Sequence, residues 1–237
     1  MATSCTNGRA RHPLARSWAE TRITSAGYAT RPTEPAAPRE YLDLASLGSL
    51  LIVATGDLPS PPDFASLEGW AGPARVIRAG ESDVAGWQLP QQQKAALISC
   101  GVPLLEGIVD TVLFAAEPHD RRYRLAGTRT DLYQPGCAYL AAPETGLVSE
   151  LEPSSGRVRF VNSSINHWLC SLHLVGAWSA DSTAIQAWDE DEEMENVALA
   201  ELADLSQQIR HLDPAAYGNA GDHKTHFWPG VIDRWLY

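Results

Sequence analysis

The apolar positions of this chain follow two different periods, and the change between them organises everything else. From Asp110 onward the period is two. Across residues 122–126 the apolar Tyr123 and Leu125 alternate with Arg122 and Arg124, and across 157–161 Val158 and Phe160 alternate with Arg157 and Arg159. Residues 111–116, 137–141 and 147–151 are further short apolar runs. Alternation over short segments bounded by turn residues predicts an antiparallel sheet with one wet face. Two of the boundaries share the form P-x-x-G, Pro143-Glu144-Thr145-Gly146 and Pro153-Ser154-Ser155-Gly156. Each suits a type I turn with glycine supplying a positive φ at its exit, so consecutive hairpins and a meander of about five to six strands are expected.

On either side of this region the period lengthens. Residues 63–70 suit a short helix and 75–78 a brief strand. Residues 90–100 predict a helix: Pro90 fits a first turn, and Ala95, Ala96 and Leu97 are good helix formers. Gly101 and Pro103 then stop it. Beyond the sheet, Asn162 or Ser163 is placed to cap a helix whose apolar face reads Ile165, Trp168, Leu169, Leu172 and Val175. A second helix is expected from about 189 to 212, where Ala198, Leu202, Leu205, Ile209 and Leu212 recur at alternating spacings of four and three until Asp213-Pro214. A third, 226–236, puts Trp228, Val231, Ile232 and Trp235 on one side. The fold class this predicts is α+β, a mostly antiparallel sheet flanked by N-terminal and C-terminal helices, with Trp228 and Trp235 in its core.

The first sixty residues read differently. Residues 1–40 are rich in Arg, Ala, Ser, Thr and Pro and show no apolar face, which predicts a disordered Arg-rich extension. Such a composition also suits a transit peptide, but Ala, Gly, Pro and Arg beside two lysines point to a GC-rich bacterial coding bias. An upstream start codon, seldom used, is the other explanation. Residues 41–62 hold an apolar segment and a linker broken by Gly56, Pro59, Pro61 and Pro62, and an organised domain is expected over 63–237. The longest apolar stretch, 47–54, is too short to cross a bilayer, and no hydrophobic leader follows the amino terminus; a cytoplasmic chain is expected. With 237 residues, 44% hydrophobic and 20% charged, the chain has enough material for a sizeable core.

Charge adds the first functional constraint. The net of −11 divides unevenly: residues 1–39 carry six arginines against two acids, a net of +4, and the remainder 12 basic against 27 acidic residues, a net of −15. An acidic body argues against nucleic-acid binding, which needs Lys/Arg surfaces; its plain reading is solubility, and its sharper one a surface that attracts a basic macromolecular partner. The most distinctive feature is the block Asp189, Glu190, Asp191, Glu192, Glu193 and Glu195. Carboxylates in a first helical turn complement the helix dipole, yet six like charges exceed what a cap requires. With Asp131, in the loop before a hairpin, they are the candidate partner-binding residues. The four cysteines are widely spaced with no C-x-x-C pair, so reduced, buried thiols are expected.

A search for reactive constellations finds no G-x-S-x-G elbow, P-loop, H-E-x-x-H or zinc-deaminase signature. The glycines from Gly101 to Gly107 lack G-x-G-x-x-G spacing. His211, His223 and His226 lie near Asp213 and Asp222, but residues 218–221 read as a loop and nothing completes a fourth ligand. Neither a metal nor a cofactor is expected, and an enzyme with a cryptic site is the least favoured class.

One stretch resembles a known family. Leu89-Pro90 leads a helix ending in Gly101-Val102-Pro103. Gly136-Cys137-Ala138-Tyr139-Leu140 and the Thr145-Gly146-Leu147-Val148 turn come next, and Arg159-Phe160-Val161-Asn162-Ser163-Ser164 then runs directly into an amphipathic helix. With Leu212-Asp213-Pro214 and Trp228-Pro229, this order is similar to the SUKH superfamily, most closely its SUKH-4 branch of bacterial immunity proteins. The resemblance runs from about residue 63 to the C-terminus. It implies helices flanking a mostly antiparallel sheet, no catalysis, and tight binding to a cognate polymorphic toxin, often a nuclease or nucleic-acid deaminase. The alternative it leaves is a non-catalytic regulatory scaffold module. Gly101, Pro103, Phe160, Asn162, Ser163 and Ser164 are then structural, and an Asn162 cap would contribute about 0.5–2 kcal/mol.

Overall fold

The N-terminal elements are short, and each is fixed by an identifiable local contact. In the computed structural model, which describes residues 58–118, 121–129, 136–188, 192–218 and 222–236, helix α1 (Phe64–Ala71) begins where the Asp63 carboxylate accepts the Ser66 N–H at 2.7 Å. Strand β1 (Val76–Ile77), the single turn α2 (Glu81–Val84), helix α3 (Gln91–Ser99) and strand β2 (Val102–Pro103) follow. Gly101, at φ +82°, ends α3, and a Cβ there would stand 2.8 Å from Arg78 Cγ and 2.9 Å from the Ile77 carbonyl oxygen. Only glycine permits that approach, and it lets β2 pair antiparallel with β1, Val76 opposite Pro103.

Five strands then form the expected meander: β3 (Thr111–Ala116), β4 (Tyr123–Gly127), β5 (Ala138–Ala141), β6 (Val148–Glu152) and β7 (Arg157–Asn162), in that spatial order and antiparallel throughout. The two edges differ. Along β7 the Phe160 N–H donates to the Thr225 carbonyl at 2.8 Å, and Phe160 bridges His226 in parallel. β3 has a strand neighbour on one side among the described residues, carries Leu113 at 56% exposure, and has a register irregularity between Val112 and Ala115.

Both P-x-x-G turns place glycine at positive φ, Gly146 at +68° and Gly156 at +73°. The first departs from the type I expectation, because Glu144 is itself left-handed at φ +64°. The surroundings hold it there: its N–H donates to the Gln88 carbonyl, outside the hairpin.

Helix α4 (Ile165–Asp181) leaves β7 after two residues. Its cap is Ser164, whose hydroxyl accepts the His167 N–H at 3.2 Å, so neither Asn162 nor Ser163 plays the expected role. The predicted face is inside: Ile165, Trp168, Leu169, Leu172 and Val175 are all fully buried. After the short α5 (Thr183–Gln186), helix α6 (Glu192–Leu212) buries Ala198, Leu202, Leu205 and Ile209 against α4, α5 and the last helix, α7 (Phe227–Leu236). Residues 189–191, expected to open α6, lie outside the described residues. Tyr139 of β5 sits where sheet and helices meet, its ring centroid 5.6 Å from Trp168 and 5.5 Å from Phe227. A smaller cluster of Leu67, Ala71, Val76 and Cys100 packs under α1.

Candidate partner-binding surface

The residues of the Arg159–Ser164 stretch are mostly inside the molecule. Asn162, fully buried, donates from Nδ2 to Asp213 Oδ2 at 3.0 Å and Ser171 Oγ at 3.2 Å, while its Oδ1 accepts from Trp228 Nε1 at 2.9 Å. Asp213 also accepts the Ser163 N–H at 2.7 Å and the Ser163 hydroxyl at 2.8 Å. One amide and one carboxylate thus tie β7, α4, α7 and the turn after α6 together. Arg159 pairs with Glu150 at 2.6 Å across two strands, both side chains being largely buried. Gln93, on α3, receives the Ile165 N–H at 3.0 Å and donates to the Thr145 carbonyl at 2.8 Å, joining that helix to the β5–β6 turn and to the start of α4.

One cluster has the composition of a hydrolytic triad. Ser164 Oγ and His167 Nδ1 are 2.8 Å apart, and the Asp213 charge acts on His167. A nucleophile must reach its substrate. Ser164 is 2% exposed and its oxygen already caps α4, while Asp213 is engaged by Ser163 and Asn162. The cluster therefore serves the fold. Burial lowers the pKa of His167, and of His173 and His226 as well, each against a smaller opposing pull from a nearby carboxylate. Among the described residues no group of three or more His, Cys, Asp or Glu could hold a metal ion. His211 and His223 are exposed, and His226 Nδ1 lies 2.9 Å from Thr225 Oγ1. Cys100 and Cys170 are free thiols; burial pushes Cys137 and Cys170 up to about 11, which keeps them protonated and poorly nucleophilic.

The exposed features of the helical layer include the start of α6. Glu192, Glu193 and Glu195 are exposed on the first turn of α6, in the position where carboxylates complement the helix dipole. Of the other candidate contacts, Asp131, Asp189, Glu190 and Asp191 lie outside the described residues. The composition of the block's surroundings escaped the sequence reading. Trp188 is 45% exposed, Val197 40% and Leu199 41%. Val197, Ala200, Glu192, Glu193, Asn196 and Glu201 line a shallow open groove on one shoulder of α6. Leu199, Trp188, Ile185, Glu195 and Trp235 line a depression on the other. The signal was available, because Val197 and Leu199 flank Ala198 and so fall outside the four-and-three stripe that defines the buried face. Such an arrangement, apolar shoulders with carboxylates between them, holds no reactive pair and is suited to macromolecular contact.

A family model described as SUKH-4 immunity protein matches residues 62–234. No curated protein and no solved structure matches the chain.

Proposed function

The chain belongs to the SUKH-4 immunity protein family, and from that premise we propose that it binds a cognate polymorphic toxin domain stoichiometrically in the bacterial cytoplasm and blocks it without catalysis. The observation that carries this reading beyond the family is the exposed acidic first turn of α6, Glu192, Glu193 and Glu195, on a body with a net of −15. A nuclease or nucleic-acid deaminase displays cationic surface for its substrate's phosphates. An acidic protein that covers that surface excludes the substrate and finds its target quickly, because complementary potentials raise the association rate. Asp131, Asp189, Glu190 and Asp191 belong to the same proposed contact set.

The test is co-expression of the chain with the toxin domain encoded in the neighbouring reading frame. Rescue of growth together with a purifiable 1:1 complex is the expected result. Neither rescue nor co-purification would remove the proposal.

A further inference from the structure

The carboxylates of α6 account for attraction at a distance and leave open what holds a complex once formed. Exposed charges contribute little net affinity, whereas buried aromatic anchors contribute most of it. Among the described residues five large hydrophobic side chains are exposed: Ile77, Leu113, Trp188, Val197 and Leu199. Ile77 and Leu113 lie on separate sheets. The other three belong to one corner, the approach to α6 and its first two turns. Their placement follows from helix geometry: Ala198 points into the core at 4% exposure, and at about 100° per residue its two neighbours emerge on opposite sides of it. On one of those sides Leu199 meets Trp188, which enters from the segment after α5, with Ile185 and Trp235 alongside and Glu195 at the margin.

Resting on the immunity reading above, we propose that Trp188 and Leu199, backed by Ile185 and Trp235, form the centre of the toxin interface. The occupant is an apolar segment of the toxin domain flanked by Lys or Arg. The chemistry of the margin selects this occupant. Glu195 lies at the edge of the patch and Glu192 and Glu193 precede it in the same first turn of α6, so a segment that seats an apolar side chain between Trp188 and Leu199 gains most when cations border it. A second copy of this chain is disfavoured, since two such corners would bring Glu192, Glu193 and Glu195 against their own kind. The arrangement is that of an apolar centre within a polar rim, and tryptophan is among the residue types most enriched at energetically dominant positions.

The division of labour is measurable. The full chain and its W188A, L199S and E192K/E193K/E195K variants are titrated against the toxin domain of the neighbouring reading frame, inactivated in its own active site, with association and dissociation rates recorded at low and moderate salt. W188A and L199S are expected to dissociate about tenfold faster or more, with association and salt dependence retained. The triple charge reversal is expected to slow association instead and to flatten its salt dependence. Thermal unfolding of each variant checks that the fold is kept, and these exposed positions predict little change. Wild-type dissociation rates for both W188A and L199S, in a chain that binds the toxin domain, would overturn the assignment of the patch and leave the immunity reading standing. A sedimentation profile showing that the patch pairs two copies, lost in W188A, would also overturn it. No binding by the wild-type chain would overturn the immunity reading and this inference together.

Discussion

Asn162 joins three partners drawn from three parts of the chain, Asp213, Ser171 and Trp228, with no water access to replace any of them. Removing its amide strands the Trp228 N–H and takes a donor from a buried carboxylate. N162A is therefore expected to cost about 1–3 kcal/mol for each buried group left unpaired, more than the loss of a helix cap, and denaturant titration measures it. S164A, which removes the actual cap of α4, is expected to cost about 1 kcal/mol by the same measurement. The glycines of the two P-x-x-G turns offer a paired comparison. Each has positive φ, so alanine at either carries a backbone penalty of about 1–2 kcal/mol. At Gly156 the space beyond is open, but at Gly146 a Cβ would overlap Gln93 Oε1, a buried atom bonded to the start of α4. G146A should destabilise clearly more than G156A. The motif was visible in the sequence as a strand running into a helix, but which of three consecutive hydrogen-bonding residues caps the helix was not. Asn, Ser and Ser are chemically interchangeable as caps, and only the position of Asp213, fifty residues away, decides that Asn162 and Ser163 turn inward.

At the scale of elements, α1 is the piece held by the most pH-sensitive contacts. Trp70 Nε1 donates to His173 Nδ1 at 3.0 Å, so that nitrogen must be unprotonated, and burial holds the His173 pKa below its ordinary 6.5 against a pull from Asp63. The folded protein then binds fewer protons than the unfolded chain around and below that value. Its contribution is full above about pH 6.5 and is lost as pH falls through the folded pKa. His167 and His226 act in the same direction. Lower still, the Asp63 cap of α1, whose carboxyl is held below its ordinary value by the Ser66 hydrogen bonds, is lost in turn. Acidification from pH 7 to 5 is expected to raise amide exchange in α1 before the sheet responds, and a histidine variant that preserves the bond, H173Q, should flatten that dependence. A Cβ at Gly176 would fall 2.2 Å from the Trp70 ring, so G176A should release the same helix at neutral pH. The elements themselves were legible from their patterns: β4 and β7 by alternation, β3, β5 and β6 as short apolar runs between turn residues, α4 and α6 by their buried stripes. The left-handed Glu144 and the interruption of the helical run by α5 were not, because each depends on contacts outside its own segment, with Gln88 and with Glu201.

For the molecule as a whole, buried polar ties gather around Asn162 and Asp213, while carboxylates and apolar side chains are exposed at the start of α6. The carboxylate block was legible from composition alone. Its apolar shoulders were not, because a hydrophobic residue in a helix reads as core until the buried face is known, and only the packing of Ala198 and Leu202 shows Val197 and Leu199 to lie outside it. The sheet has a comparable asymmetry, and it bears on how the protein fails. Where β7 is shielded by Thr225 and His226, β3 offers Thr-Val-Leu-Phe-Ala-Ala, six residues without a charge or a proline, with a register irregularity between Val112 and Ala115. Uncharged, β-prone hexapeptides of this kind template cross-β growth when exposed. Mild acid loosens the histidine contacts and lowers the net negative charge that keeps molecules apart, so fibrils seeded from β3 are expected there. L113K, at a site already 56% exposed, should delay their appearance in a dye-binding assay at a stability cost within about 0.5 kcal/mol. The register irregularity between Val112 and Ala115 interrupts the regular edge that such growth needs, and it is the feature of β3 that opposes pairing with a second chain.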